Sequence, residues 1–409
     1  MSTLDRLLRL RHVLVGLSAV GVVLSYLTVF GTPDDWWYFR DAAVVLAGRD
    51  PAVSPGAFYR THPGTWIGPV PLLLWTPLAL LPEAVGGWTV ALLSAAAVPC
   101  ATLLAESLST ARWGPSRRAR LTVLLAGCAA APVWTEVCTT YTHPEDVAVV
   151  LLFLGALHAL HRRRPVLTGL LLGLAAGGKP WAVGLLPLVV VLPTRAGRGR
   201  AAVSALLAAA LPWVPFLSVP GTLAAVSGSW AVVFAETPLG VAGLAGQVYP
   251  TTARLSQFAL AVLLVAAVVR RHRWSAALFC CVAARLALEP QVLDYHWASL
   301  VLGAVVADVV GRRPLPLLSG LVVLTYHVSR SVDVALVEAG AQLVPLAAAL
   351  ALVLHRGRAE DGPGGPGVPA PRSGADLGVR GLQHGGVGPL QPRRAADAVE
   401  DHEPQERPA

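Results

Sequence analysis

Apolar runs of membrane-spanning length recur along this chain from about residue 13 to about residue 354. Short joints rich in Arg, or in Pro and Gly, separate these runs. A helix needs about 20 apolar residues to cross the hydrocarbon core of a bilayer, and several of the runs are a few residues shorter. The period-two alternation of a membrane β-barrel is absent. The pattern therefore predicts an all-α, polytopic transmembrane protein.

Composition supports this prediction and excludes other classes. The chain is 55% hydrophobic and 14% charged, whereas a soluble globular domain carries about 25% charged residues. The net charge of +8 comes from Arg in the joints, which is typical of membrane topology. Basic and aromatic residues are not interleaved, so no nucleic-acid partner is expected. The five cysteines have no paired spacing and indicate neither a disulfide framework nor a zinc site.

The Arg clusters predict the orientation of the chain. Arg6, Arg9 and Arg11 precede the first span, 13–30, and no signal-peptide cleavage site follows it. We therefore expect a cytoplasmic N-terminus, with the later Arg clusters also inside. The predicted extracytoplasmic segments are 31–62, 132–146, 220–252, 289–296 and 329–333.

One joint leaves two alternatives open. The apolar stretches 66–81 and 85–105 lie between the first outer loop and the cluster that begins at Arg117. Two crossings would place that cluster outside, against the positive-inside rule. Three prolines interrupt helical hydrogen bonding in 66–81. Either this stretch is re-entrant or the charge rule fails here, which gives about twelve spans, or thirteen.

The composition changes near residue 355. Residues 1–355 form the predicted membrane domain, whereas 356–409 are rich in Gly, Pro, Arg and acidic residues without apolar periodicity. Such a segment buries too little apolar surface to offset its ordering entropy. We expect 356–409 to be a disordered cytoplasmic tail.

Polar residues of chemical interest gather on the predicted outer side. The first outer loop opens with a carboxylate pair and an aromatic run, and it continues into a further charged pair. These residues are Asp34, Asp35, Trp36, Trp37, Tyr38, Phe39, Arg40 and Asp41. Carboxylates where a helix leaves the bilayer are costly to dehydrate, so they should face water, headgroups or a polar cavity.

Lys179 is the only lysine of the chain and lies at the outward tip of two short apolar helices. A cation there could bind an anionic headgroup or phosphate, or it could snorkel to the interface. Both interpretations stay open from the sequence.

Two more outer clusters are visible. His143, Glu145 and Asp146 open one span, where acidic residues also complement the helix dipole without any function. Glu289 and the run 294–297 form the other cluster, and Arg285 one turn earlier could simply neutralise Glu289. No phosphate loop, zinc-protease motif or nucleophile elbow occurs, and no metal-ligand set or cofactor is expected.

The order of several motifs resembles a known family. The first is an amphipathic helical segment of the first outer loop, which ends with Leu-Ala-Gly-Arg-Asp-Pro at 46–51. The others are Pro-Leu-Ala-Leu-Leu-Pro at 77–82, Gly-Leu-Leu-Leu-Gly-Leu-Ala at 169–175, Lys-Pro-Trp-Ala at 179–182 and Tyr-His-Trp at 295–297. Together they resemble the GT-C integral-membrane glycosyltransferases of glycosyltransferase family 87, which include actinobacterial polyprenol-phosphate-mannose-dependent α-1,2-mannosyltransferases. Many members have Gly-Gln-x-Asn where this chain has 143–146, and Tyr-Pro-Pro at 62–64. Acceptor and sugar are therefore not carried over.

The resemblance implies a hexosyl- or mannosyltransferase of the plasma membrane, with both termini cytoplasmic and an extracytoplasmic active site. Such enzymes move a sugar from a polyprenyl-phosphate donor to a lipid or cell-envelope glycan acceptor, and a first-loop Asp is the general base. The family pattern Asp-x-x-x-[Tyr/Phe]-Arg places that base at Asp35, with supporting acids at Asp34, Asp41, Glu145 and Asp146. Lys179, His296 and Arg60 are the candidates for the donor phosphate. Trp36, Trp37, Tyr38 and His143 are the candidates for acceptor or sugar contacts.

Two alternatives remain. A lipid-sugar transporter or flippase would also need many helices, but it should carry ionisable groups at the midplane and internal repeats. Here the polar groups gather at one face, and no convincing repeat is found. A catalytically inactive scaffold is the other alternative, because 143–146 depart from the family pattern.

Overall fold

The computed structural model describes residues 3–63, 65, 67–227, 231–311 and 315–355, and these are almost entirely helical. The tail predicted for 356–409 lies outside this range. The α-helices are α1 Thr3–Phe30, α2 Trp36–Leu46, α3 Phe58–Thr61, α4 Pro69–Ala79, α5 Glu83–Trp113, α6 Arg117–Cys138, α7 Pro144–His161, α8 Pro165–Gly178, α9 Arg195–Ala210, α10 Val214–Leu217, α11 Thr222–Ser227, α12 Thr251–Arg270, α13 Ala277–Ala287, α14 His296–Val310, α15 Leu317–Ser331 and α16 Ala335–Leu354.

Shorter helical turns complete the chain. Those of 3-10 type are Pro55–Ala57, Pro180–Val191, Leu211–Trp213 and Trp274–Ala276, and a π-helical turn covers Gly240–Leu244. No strand occurs in the described part of the chain, where only Val232 and Val248 pair as an isolated bridge. The all-α prediction is confirmed.

Seven helices among the described residues have the length and hydropathy to cross a membrane. They are α1, α5, α6, α7, the α9–α10 stretch, α12 and α16, and five shorter apolar helices accompany them. The chain is thus a helical membrane protein, as the sequence predicts. The number of crossings stays a prediction.

Two helices extend beyond the boundaries that the sequence predicts for the spans. The first helix begins at Thr3 and carries the basic residues of the N-terminus, because Leu lies between them and sustains the helical pattern. Helix α6 continues to Cys138, past Pro132, where the sequence predicts the outer segment to begin. The segment between α6 and α7 is therefore only 139–143.

The stretch with two topological alternatives contains a short helix. Helix α4 has 11 residues, with Pro at its start and Pro77 inside it. At 1.5 Å per residue it rises about 16 Å, roughly half the hydrocarbon thickness of a bilayer. This length favours the re-entrant alternative. Helix α5 then has 31 residues and leads to the Arg cluster that begins at Arg117.

The core lies around α13 and α14, in which every residue is buried. A helix that is apolar on all sides belongs inside a bundle. By contrast, α1, α9 and α12 expose leucines such as Leu17, Leu206 and Leu263, as expected for surfaces that face lipid. The central helices therefore hold their end residues, Arg285 and His296, in fixed positions.

Helices α8 and α9 pack without side chains between their backbones at two points. A Cβ on Gly169 or Gly173 would collide with the backbone of Ala201 or Ala205. Small residues of this kind allow close approach between membrane helices. This contact fixes the C-terminal end of α8, and with it Lys179.

Candidate functional site

A cavity of about 500 Å³ opens at one end of the helix bundle. Its wall comes from α2, the α6–α7 segment, the α8 end, α12 and the segment before α14. Of the twelve residues to which the family resemblance gives a role, six line it, namely Asp35, Trp37, Tyr38, His143, Lys179 and His296. Side chains separated by some 260 positions in the chain thus meet at one site.

The other six residues singled out do not line the cavity. Glu145 and Asp146 lie directly behind its wall, with less than 2% of their surface exposed. Trp36 is buried and stacks on Phe39, with ring centroids 5.7 Å apart. Asp34, Asp41 and Arg60 are exposed side chains of the first loop region.

Asp35 lies in a turn that constrains its position. Its backbone has φ 56° and ψ −4°, in the left-handed region, where it precedes α2 without a side-chain cap bond. Asp adopts this conformation more readily than most residues other than Gly, because its short polar side chain can hydrogen-bond locally. Residues in this region are often found at functional sites. The turn directs a half-buried carboxylate into the cavity wall.

The surroundings of Asp35 raise its pKa above the ordinary value. Burial is the main cause, because it disfavours the charged carboxylate. His143 opposes the shift as the strongest charged neighbour, whereas the negative charge of Asp34 adds to it. A raised pKa makes the deprotonated carboxylate a stronger base.

Lys179 is held inside the protein. Its Nζ lies 2.8 Å from Glu145 Oε1 and 3.4 Å from Asp146 Oδ2, and only 5% of the residue is exposed. A snorkelling lysine would extend its ammonium to the interface instead. Here two buried carboxylates hold the ammonium at the cavity wall. Glu145 and Asp146 occupy the first turn of α7, where sequence analysis placed them.

Arg285 extends the same cluster on the other side. Its Nε lies 3.1 Å from Glu289 Oε2, which confirms the predicted pair, and its Nη1 lies 3.4 Å from Asp146 Oδ1. We call the five residues Glu145, Asp146, Lys179, Arg285 and Glu289 the ion network. It contains two cations and three carboxylates. Buried charges are tolerated when they are paired in this way.

His143 connects the ion network to the cavity. Its Nδ1 lies 2.5 Å from Glu145 Oε1, and its ring stacks on Tyr295 with centroids 3.7 Å apart. A carboxylate only accepts hydrogen bonds, so Nδ1 carries a proton in this contact. The imidazole is thereby fixed in orientation.

Oxygen and nitrogen atoms of His143, Glu145 and Asp146 lie within 4.8 Å of one another, a spacing that could hold a metal ion. The sequence did not suggest such a set. However, the Lys179 ammonium already lies within 3.4 Å of both carboxylates. A metal ion would be repelled by this charge. The donor set therefore fits the lysine better than a metal.

Sequence reasoning missed part of the cavity wall. Tyr141, Tyr249, Arg254 and Gln257 also line it. Gln257 donates from Nε2 to Arg285 O at 3.0 Å and to Glu289 Oε2 at 3.2 Å. A signal for Arg254 existed, since it is the first of only two charged residues in α12, and the other is the last residue of that helix. The other three give no signal on their own.

The fold and the cavity define a helical membrane protein with an acidic, basic and aromatic site at one end. Comparison with protein families places it more narrowly. The model of glycosyltransferase family 87 matches residues 68–286, more than half of the 409 residues. The chain belongs to glycosyltransferase family 87 and is a membrane glycosyltransferase.

The matched region contains most of the ion network and Arg254, whereas Asp35 and His296 lie outside it. Comparisons with curated proteins and with solved structures gave no match.

Proposed function

We propose that this glycosyltransferase moves a hexosyl residue, such as mannose, from a polyprenyl-phosphate donor to a hydroxyl of a lipid or cell-envelope glycan. The reaction takes place on the outer face of the plasma membrane, and both termini are cytoplasmic. Asp35 is the general base, and no metal or cofactor takes part. The observation that carries the proposal is the half-buried Asp35 carboxylate in the wall of an aromatic cavity.

The reaction needs one proton transfer and one substitution. Asp35 takes the proton of the acceptor hydroxyl as its oxygen attacks the anomeric carbon. The bond from that carbon to the phosphate oxygen breaks, and the polyprenyl phosphate leaves with the electron pair. Attack opposite to the leaving group inverts the anomeric configuration. A positioned base contributes about a hundredfold to ten-thousandfold to such a step.

The aromatic residues of the first loop form one wall for the sugar or acceptor. Trp37 and Tyr38 line the cavity beside Asp35, with ring centroids 5.9 Å apart. Aromatic rings with a few polar groups are typical of sites that orient a small ligand. His143 also lines the cavity, and its contacts with Glu145 and Tyr295 hold its ring in place. Trp36, in contrast, is buried and packs on Phe39 of the same helix, so it stabilises the loop without facing the cavity.

His296 fits a role at the leaving phosphate. Its Nδ1 accepts a hydrogen bond from the backbone N–H of Leu293 at 3.1 Å. The neutral ring therefore carries its proton on Nε2, at the cavity wall. A donor at this position can stabilise the negative charge that develops on a phosphate oxygen. Lys179 adds a positive charge nearby, although two carboxylates already hold it.

The test replaces Asp35 by Asn, which keeps the size of the side chain and removes its basicity. Membranes containing the variant receive a radiolabelled polyprenyl-phosphate sugar, and glycosylated lipids are resolved by chromatography. We expect transfer to fall by about a hundredfold to ten-thousandfold at an unchanged protein level. Asp34→Asn is the matched control, because Asp34 lies outside the cavity wall. Wild-type transfer by Asp35→Asn would exclude Asp35 as the base.

A further inference from the structure

The two histidines of the cavity wall contact one aromatic ring. The ring of Tyr295 stacks on that of His143 with centroids 3.7 Å apart, and its centroid lies 4.1 Å from that of His296. All three residues line the cavity. His143 directly precedes α7, whereas Tyr295 directly precedes α14 and His296 begins it. One phenol ring therefore connects the histidines of two distant segments.

The contact between Tyr295 and His296 depends on a local turn. Neighbouring side chains of a regular helix point in different directions and do not face each other. Here Nδ1 of His296 accepts a hydrogen bond from the backbone N–H of Leu293 at 3.1 Å, which folds the imidazole back over the turn before α14. The imidazole thereby lies against the Tyr295 ring, and this hydrogen bond holds it there.

Other contacts hold Tyr295 itself in place. Only 8% of the residue is exposed, and its ring centroid lies 5.4 Å from that of Tyr141 and 5.9 Å from Lys179 Nζ. Asp294, directly before it in the chain, is paired with Arg330 of α15. Contacts from three other segments of the chain thus restrict the movement of the Tyr295 ring.

Tyr295 differs from a buried tyrosine of the neighbouring core. Tyr326 is 5% exposed, its ring lies 6.1 Å from that of Trp297, and its hydroxyl donates to Glu136 Oε1 at 3.2 Å. Tyr326 is outside the cavity wall, whereas the three rings and the ammonium that contact Tyr295 all belong to residues of that wall. The position of the Tyr295 ring therefore influences where the side chains of the site lie.

We infer that Tyr295 is a positioning residue for sugar transfer, and that its ring sets the separation and the orientation of His143 and His296. The inference rests on the proposed function, in which His296 serves the leaving phosphate and His143 lies in the wall for the sugar or acceptor. The acceptor oxygen, the anomeric carbon and the phosphate must be aligned, and a displacement of about 1 Å can cost about a hundredfold in rate. Tyr295 acts through the two histidines and needs no contact with the reacting atoms.

Transfer kinetics test this role. Tyr295→Leu removes the ring and should lower kcat on the order of tenfold to hundredfold, with a smaller change in KM. Tyr295→Phe keeps the ring and should retain most of the activity. Tyr326→Leu is the matched control, because it removes a buried tyrosine outside the cavity wall and should leave kcat close to wild type. A wild-type kcat for Tyr295→Leu, or a loss of the same size for Tyr295→Phe, would overturn the inference.

A double-mutant cycle decides whether Tyr295 acts through a histidine. The losses of two independent residues multiply, whereas those of residues that act as a unit do not. Tyr295→Leu should therefore lower kcat by a smaller factor in a His143→Gln background than in the wild type. The full factor in that background would overturn the positioning role, because Tyr295 would then act independently of His143.

Histidine NMR signals provide a measurement that needs no turnover. The full-length protein in lipid nanodiscs is labelled with carbon-13 in histidine only, because a stacked aromatic ring shifts the resonances of an imidazole. Tyr295→Leu should move the two signals that disappear in His143→Gln and in His296→Gln, and Tyr326→Leu should move neither. If Tyr295→Leu unfolds at a lower temperature than Tyr326→Leu, Tyr295→Met fills more of the space without a ring and replaces it in both measurements.

The two measurements separate this inference from the proposed function. Unmoved histidine signals in Tyr295→Leu would overturn the positioning role even if the wild type transfers sugar from a polyprenyl phosphate. Moved signals, together with a wild type that transfers no sugar from a polyprenyl-phosphate donor, would overturn the proposed function and confirm the arrangement of the three rings.

Discussion

The cavity has carboxylates in two regions with different surroundings. Asp35 is half-buried in a left-handed turn, and its pKa is raised by burial. Glu145 and Asp146 are almost fully buried and contact Lys179 and Arg285. A carboxylate that must take a proton cannot be locked against cations, since these stabilise its charged form. The comparison separates a half-buried carboxylate in the cavity wall from two carboxylates behind it that are paired with cations.

The largest expected effect comes from breaking the ion network. Lys179→Met would leave Glu145 and Asp146 buried with one cation fewer. Removal of one partner from a buried ion pair costs about 3–5 kcal/mol. We therefore expect a large fall in the melting temperature of the detergent-solubilised protein.

The double variant Lys179→Met with Glu145→Gln is the control, since it removes one charge of each sign and should recover part of the stability. Wild-type stability of Lys179→Met with weaker donor binding would instead assign Lys179 to the donor phosphate.

A smaller effect is expected from His143→Gln. The variant loses the imidazole that stacks on Tyr295 and binds Glu145. We expect kcat/KM to fall about tenfold, the size of one lost hydrogen bond to a charged group. The positive charge of His143 lowers the pKa of Asp35, so its loss raises that pKa.

The base must be deprotonated, and activity is lost as pH falls through its pKa. The acidic limb of the pH–rate profile of His143→Gln should therefore move to higher pH. An acidic limb at the wild-type pH would show that His143 does not influence the pKa of the base.

The smallest effect is expected from Asp34→Asn, which should shift the acidic limb of the pH–rate profile in the opposite direction. Asp34 raises the pKa of Asp35 through its negative charge. Asp34→Asn should lower that pKa, so the acidic limb moves to lower pH while the plateau rate stays close to wild type. Asp41→Asn, an exposed acid of the same loop, serves as the control and should leave the profile unchanged. A large loss of plateau rate in Asp34→Asn would contradict the distinction between the two neighbours.

The sequence predicted several contacts of the site correctly. The Arg285–Glu289 pair follows from helical spacing, because residues four apart lie on the same side of a helix. The acidic first turn of α7 and the helices of the first outer loop also follow from local patterns. These features involve neighbours in the chain, and their geometry depends little on the rest of the fold.

Contacts between distant segments could not be predicted from the sequence. Lys179 and Glu145 are 34 positions apart, and nothing in either motif shows that the two side chains meet. Arg254 was missed for the same reason, since a single arginine at a helix start is also typical of an interface. Only the packing of α8 on α7 and of α12 on Pro180–Val191 brings these groups to one cavity.

The sequence by itself determined the class of the protein and the end of the bundle that carries polar groups, because hydropathy and helical periodicity are local properties. The tertiary structure decided which of those groups line the cavity and which are paired with one another. Burial and charge pairing set the environment of each side chain, and both arise only when distant helices pack together. The same residue types thereby became a half-buried carboxylate with a raised pKa at Asp35 and a paired network around Lys179.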